Sequence, residues 1–171
     1  LDFLIAHSQN RPFLEVDFFG GEPLMNLDVV KQTVAYGREL EKKHGKEFSF
    51  TMTTNAVALD KETADYLNRE MSNIVISLDG RKSVHDRMRR PCDPQDTYEK
   101  LVEQARYLVA NRGEKSYYVR GTYTRNNLDF AEDVLALSKE GFDQISIEPV
   151  VGPADKSYTL LPENLPILFA E

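Results

Sequence analysis

The sequence predicts an α/β fold of five parallel strands covered by helices, and three observations carry that prediction. Short apolar, β-branched and aromatic runs recur along the 171 residues, and helical patterns with apolar residues at three- and four-residue spacing lie between them. The interiors "NIVISL" and "QISIEPV" are nearly continuous apolar runs, the mark of parallel strands covered on both faces. Strict strand–helix alternation calls for right-handed crossovers. It does not separate an open doubly wound sheet from a closed or partial barrel, but both architectures place their chemistry at the C-terminal ends of the strands.

The strands are expected at Leu14 to Phe19, Phe48 to Thr54, Ile74 to Leu78, Tyr117 to Thr124 and Gln144 to Val151. The opening "LDFLIAHSQNRP" already carries an apolar helix-like pattern. After Asn26 or Asp28 as a cap, Val29, Val30, Val34, Tyr36 and Leu40 mark one helical face, and Gly45 is a plausible stop. Leu59 and Asp60 open a short helix through Ala64 and Leu67. From Thr97, the residues Tyr98, Leu101, Val102, Ala105, Leu108 and Val109 predict a longer helix ending at Gly113. The last helix is expected from near Asn127, with Phe130, Ala131, Val134, Leu135 and Leu137 inward, to Gly141. Beyond Gly152, three prolines predict irregular coil with at most a turn of helix.

A chain of this length buries roughly 70% of the surface its unfolded form exposes. Hydrophobic residues at 41% and charged residues at 29% are ordinary for a soluble protein. No apolar run approaches a membrane span, and no signal peptide is visible. The net charge of −7, without a basic stripe, argues against nucleic acid as a partner. A single cysteine, Cys92, excludes an internal disulfide framework, leaves no cysteine cluster for zinc or iron–sulfur, and fits a reducing cytoplasm. Cys92 lies in the Pro- and Asp-rich loop "RRPCDPQD", where an ordinary thiol is the expectation.

Read in order, the strand ends are "FFGGEP" with Glu22, "TMTTNA" with Thr54 and Asn55, "ISLDG" with Ser77 and Asp79, "YVRGTYTRNN" with Arg120, and "SIEPVV" with Glu148. Such residues converge on one mouth. Glu22 precedes a proline, which pushes it to extended geometry, and it follows two glycines that tolerate positive φ and close approach. A carboxylate held there suits an ammonium group; it would equally suit a plain turn at a helix N-terminus. Ser77 and Asp79 can form a simple turn ahead of Gly80, Thr54 and Asn55 another, Arg120 can be a structural ion-pair partner, and His85 is expected to order its loop.

Gly20-Gly21-Glu22-Pro23 after an apolar strand, "TTNA", "SLDG" followed by His85-Asp86 and Arg89, and a Glu148-Pro149 strand end together resemble radical S-adenosylmethionine enzymes. More narrowly they resemble the peptide- and protein-modifying branch that carries a C-terminal auxiliary-cluster domain. The wording of "YYVRGTYTRNNLDF" and "GFDQISIEPVVG" is similar to maturases that install thioether cross-links in six-cysteine peptides. The resemblance implies a partial (β/α) barrel and S-adenosylmethionine as cofactor. Its methionine ammonium would be held at Gly20, Gly21, Glu22 and Pro23, with Thr54 and Asn55 beside it. Ser77 and Asp79 would face the carboxylate or ribose, and Arg89 or Arg120 would pair with the carboxylate, which a planar guanidinium meets bidentately. It also implies [4Fe-4S] clusters in a longer parent, a cysteine-containing peptide substrate, and a ferredoxin or flavodoxin as reductant.

The family's CxxxCxxC cluster loop has no counterpart among these residues, so the expectation is an internal fragment, inactive by itself. Residues 1–152 would form an incomplete core and 153–171 the start of a connector. Three alternatives stand beside thioether formation. One is a sulfatase-maturing enzyme that makes formylglycine. A second is a barrel lyase or isomerase with Glu22, Asp79 and Glu148 on Mg²⁺ or Mn²⁺. The third is a catalytically silent peptide-docking module.

Overall fold

The computed structural model describes residues 1–90, 93 and 97–171; Cys92 lies outside them. Five strands form one sheet in sequential order: β1 (Phe13–Phe18), β2 (Glu47–Thr54), β3 (Asn73–Ser77), β4 (Ser116–Tyr123) and β5 (Ile145–Pro149). Every neighbouring pair is parallel. Sequential order resolves what alternation left open, because a doubly wound sheet reverses its strand order at a switch point and this sheet never does. Parallel strands in sequential order, each followed by a helix, are the arrangement of an open part of a barrel with its helices on one side.

The helices are α1 (Asp2–His7), α2 (Leu27–His44), α3 (Lys61–Glu70), α4 (Lys82–Met88), α5 (Tyr98–Ala110), α6 (Phe130–Lys139) and α7 (Leu165–Leu168). Four meet the expectations closely. Asp60 caps α3 by accepting from Thr63 N–H, Thr97 caps α5 by accepting from Lys100 N–H, and Gly45 ends α2 in the left-handed region. The last predicted start is displaced: α6 begins at Phe130, and Asn127 instead accepts from Thr124 N–H and donates to Asp133. The tail holds a 3-10 turn (Pro162–Asn164) and α7.

Helix α4 was not foreseen. Its seven residues KSVHDRM bury only Val84 and His85, and no side chain caps its start, so neither periodicity nor punctuation marks it. It carries His85, and Arg89 is its C-cap.

Register sorts the sheet into two faces. Val16 aligns with Phe50, Met52 with Ile74, and Ile76 with Val119, all on the helix side. Phe50, Met52, Ile74, Ile76 and Val119 are fully buried there. At about 1.5–3 kcal/mol per buried large side chain, this layer supplies much of the driving force. The opposite face is polar: Glu15, Asp17, Arg120 and Glu148 are exposed, and Thr51, Thr53 and Ser77 half-buried. Continuous burial holds for β3, where Ile74, Val75 and Ile76 are all buried, but not for β5, an edge strand with no buried residue.

Candidate functional site

The turn after β1 has the backbone its sequence demands. Gly20 and Gly21 sit at φ 84° and 51°, where an L side chain is strained. A Cβ on either would meet nothing within 4 Å, so conformation and not crowding requires glycine, and the space beside them is open. Glu22 is extended at φ −138°, ψ 110°, and caps the 3-10 turn Pro23–Asn26.

Its carboxylate reaches across to the end of β2. Oε1 accepts from Leu24 N–H at 3.1 Å and from the Thr54 hydroxyl at 2.7 Å, and Oε2 accepts from Asn55 N–H at 2.7 Å. Thr54 is buried and also accepts from Ala56 N–H; the Asn55 side chain accepts from Val57 N–H. The turn roles and the site roles foreseen for Thr54 and Asn55 are thus compatible, since one loop geometry serves both.

A second polar group forms at the end of β3. Asp79, 3% exposed, accepts from Arg89 Nε at 2.7 Å, from Arg89 Nη2 at 3.1 Å, and from Thr122 N–H of β4 at 3.0 Å. The pair is a bidentate fork. It occupies the Asp79 carboxylate, and among the described residues no hydrogen bond is made by Arg89 Nη1. His85 lies alongside, and burial pushes its pKa down, favouring the neutral ring. Tyr98 packs on it and donates to Gly80 C=O at 2.6 Å; burial pushes that phenol up to about 12.

Both groups border one cavity of about 380 Å³. Glu22, Asn55, Arg89 and His85 give it polar points, while Val57, Ala58, Tyr98 and Leu101 make an apolar wall. An acid, an amide and a guanidinium therefore share a hollow. Thr54 and Asp79 stand behind it as supports.

Ser77 and Arg120 do not border that cavity. They face each other in register on the polar side of the sheet, where Arg120 pairs with Glu148 at 3.3 Å. The three carboxylates of the metal alternative thus have separate partners: Glu22 its N–H and hydroxyl donors, Asp79 Arg89, and Glu148 Arg120. Among the described residues no group of three or more His, Cys, Asp or Glu side chains could hold a metal ion. No helix among them is long and apolar enough to cross a membrane.

A family model described as the Radical SAM superfamily matches residues 3–119. The chain belongs to that superfamily. S-adenosylmethionine is the cofactor that goes with it. The cysteine-type anaerobic sulfatase-maturating enzyme of Clostridium novyi (strain NT) is 22% identical over 138 residues, 80% of this chain and 36% of that protein. The enzyme of the same name from Clostridium perfringens (strain 13 / Type A) is 30% identical over 89 residues, 52% of this chain and 24% of that protein. The solved structure of native anSMEcpe with bound AdoMet superposes with a TM-score of 0.79 at 19% identity, covering 96% of this chain and 46% of that one. A domain of pyruvate-formate lyase-activating enzyme from Bacteroides vulgatus ATCC 8482 gives 0.57 at 20% identity, covering 91% and 92%. The chain spans well under half the length of the curated relatives it matches.

His85, expected to order its loop, accepts from Asp79 N–H through Nδ1 at 3.4 Å and also borders the cavity.

Proposed function

We propose that this chain binds S-adenosylmethionine within a radical enzyme that oxidises a residue of a peptide or protein substrate, as in sulfatase maturation. The observation that carries the reading is the shared cavity, lined by the Glu22 carboxylate, by Arg89 in its fork with Asp79, and by the apolar Val57, Ala58, Tyr98 and Leu101. The cofactor's methionine end bears an ammonium and a carboxylate, and its adenosine end is flat and largely apolar. Its three parts match the three surfaces.

In this reading Glu22 and the open glycine turn receive the ammonium, and the Nη1 edge of Arg89 receives the carboxylate. Asp79 fixes the angle of that guanidinium, and Thr54 fixes the angle of Glu22. Both anchors are already hydrogen-bonded to the protein, so little reorganisation is needed on binding. Bound there, S-adenosylmethionine would supply hydrogen-abstracting radical chemistry on one-electron reduction by a low-potential donor that these residues do not hold. A [4Fe-4S] cluster does not fit these residues: a CxxxCxxC loop contributes three thiolates, and the sequence has one cysteine.

Thioether cross-linking was the first expectation and formylglycine formation the alternative. The two sulfatase-maturating relatives favour the alternative, and we adopt it. Titration calorimetry of this chain with S-adenosylmethionine tests the binding claim: saturable binding weakened by Arg89→Met supports it, and no binding by the wild-type chain refutes it. For the parent protein, mass spectrometry of a cysteine peptide separates the chemistries. Loss of the sulfur with gain of an aldehyde marks oxidation; a cross-linked product that keeps its sulfur marks a thioether.

A further inference from the structure

We propose that His85 is a positioning residue for the nucleoside half of the cofactor, presenting an Nε2–H donor to an acceptor atom on the adenosine. The inference rests on the cofactor site proposed above and deepens it. His85 is 4% exposed, borders the cavity, and packs against Tyr98 with ring centroids 5.4 Å apart. Tyr98 is itself tethered to Gly80 C=O, so this aromatic wall is fixed from two sides.

The tautomer follows from the other ring nitrogen. Asp79 N–H donates to His85 Nδ1 across 3.4 Å, so Nδ1 is an acceptor and a neutral ring carries its proton on Nε2. Asp79 and Asp86 favour the cation and Arg89 and Lys82 oppose it, with burial deciding for the neutral form. Among the described residues the ring's one hydrogen bond is that at Nδ1, and none joins Nε2. A nearly buried N–H bordering a cavity gains most from a ligand acceptor.

The neighbours decide which half of the cofactor that acceptor belongs to. The ammonium and carboxylate of the methionine half already have Glu22 and Arg89. Tyr98 packs on His85, and with Leu101 and Val57 in the same lining the cavity suits a flat base held by stacking and one directed hydrogen bond.

The probes are S-adenosylmethionine, 5′-deoxy-5′-methylthioadenosine and methionine, titrated into the 171-residue chain. His85→Phe keeps an aromatic ring against Tyr98 and removes the donor; His85→Gln restores an N–H near the Nε2 position. The expected result is about tenfold weaker binding of both adenosine-containing probes to His85→Phe, near wild-type binding to His85→Gln, and no change for methionine. In the ¹⁵N-labelled wild-type chain the Nε2 resonance should shift on adding methylthioadenosine and not on adding methionine. Equal affinity of His85→Phe and wild type, a loss that Gln does not restore, or an unmoved Nε2 resonance overturns the proposal while leaving the cofactor site intact. Failure of the wild-type chain to bind either adenosine compound removes the site itself, and this inference with it.

Discussion

Replacing Glu22 by glutamine changes one atom's chemistry in a clamp that joins β1 to β2. The carboxylate accepts three hydrogen bonds, two on Oε1 and one on Oε2. A glutamine oxygen can serve only one side. Placed toward Leu24 and Thr54, it keeps two bonds without their charge assistance and turns an NH₂ toward the Asn55 N–H, donor against donor. An unsatisfied donor costs about 1–3 kcal/mol and each lost charge assistance roughly 0.5–1 kcal/mol. Glu22 is half-buried, so water reaches part of the clamp and the total should fall to about 1–3 kcal/mol. Urea unfolding followed by circular dichroism measures this directly, and the slope should stay that of the wild type. Stability within about 0.5 kcal/mol of wild type would show that the three bonds are not a clamp. In parallel, S-adenosylmethionine should bind Glu22→Gln more weakly than wild type, and unchanged binding would take the ammonium from this residue.

Gly121→Ala should destabilise the chain by about 1–3 kcal/mol, because a Cβ there would lie 2.8 Å from Leu78 C=O and 3.1 Å from Asp79 Cα, and backbone cannot yield as a side chain does; a melting temperature equal to wild type would contradict this. The depressed pKa of His85 gives a signed pH effect: its neutral form stabilises the fold above the ordinary 6.5, and that contribution disappears as pH falls through the lowered value. The difference in urea midpoint between wild type and His85→Gln should therefore shrink on acidification below 6.5, and a difference independent of pH would refute it. Anaerobic reconstitution with iron and sulfide should leave no stoichiometric iron on this chain; a robust iron–sulfur absorption band would overturn that expectation, which rests on its single cysteine.

Strand positions were legible because each run is short, apolar and closed by a polar or glycine signal, and the observed limits of β1 to β4 differ from the expected ones by no more than one residue. The turn at Gly20 to Pro23 was legible because glycine and proline state their dihedral angles in the sequence. Side-chain pairings were not. Asp79 and Arg89 are ten residues apart across a helix that carries no periodic signal, so nothing along the chain shows that they spend their charges on each other. Convergence of Ser77 and Arg120 with Glu22 was expected from strand ends alone; strand pleating instead sends that pair to the polar face, since alternate residues face opposite sides. The apolar look of β5 misled for a related reason, as an edge strand has one neighbour and less cover.

The bonds from Glu22 to the end of β2 and from Asp79 to the end of β4 stitch neighbouring strands together at the rim, each stitch closing between successive or adjacent members of the sheet. These bonds are already made within the protein, so filling the hollow asks little rearrangement of the rim. Loops between the stitches are then free to vary in content while the frame stays put, a division of labour by which one scaffold could serve many substrates.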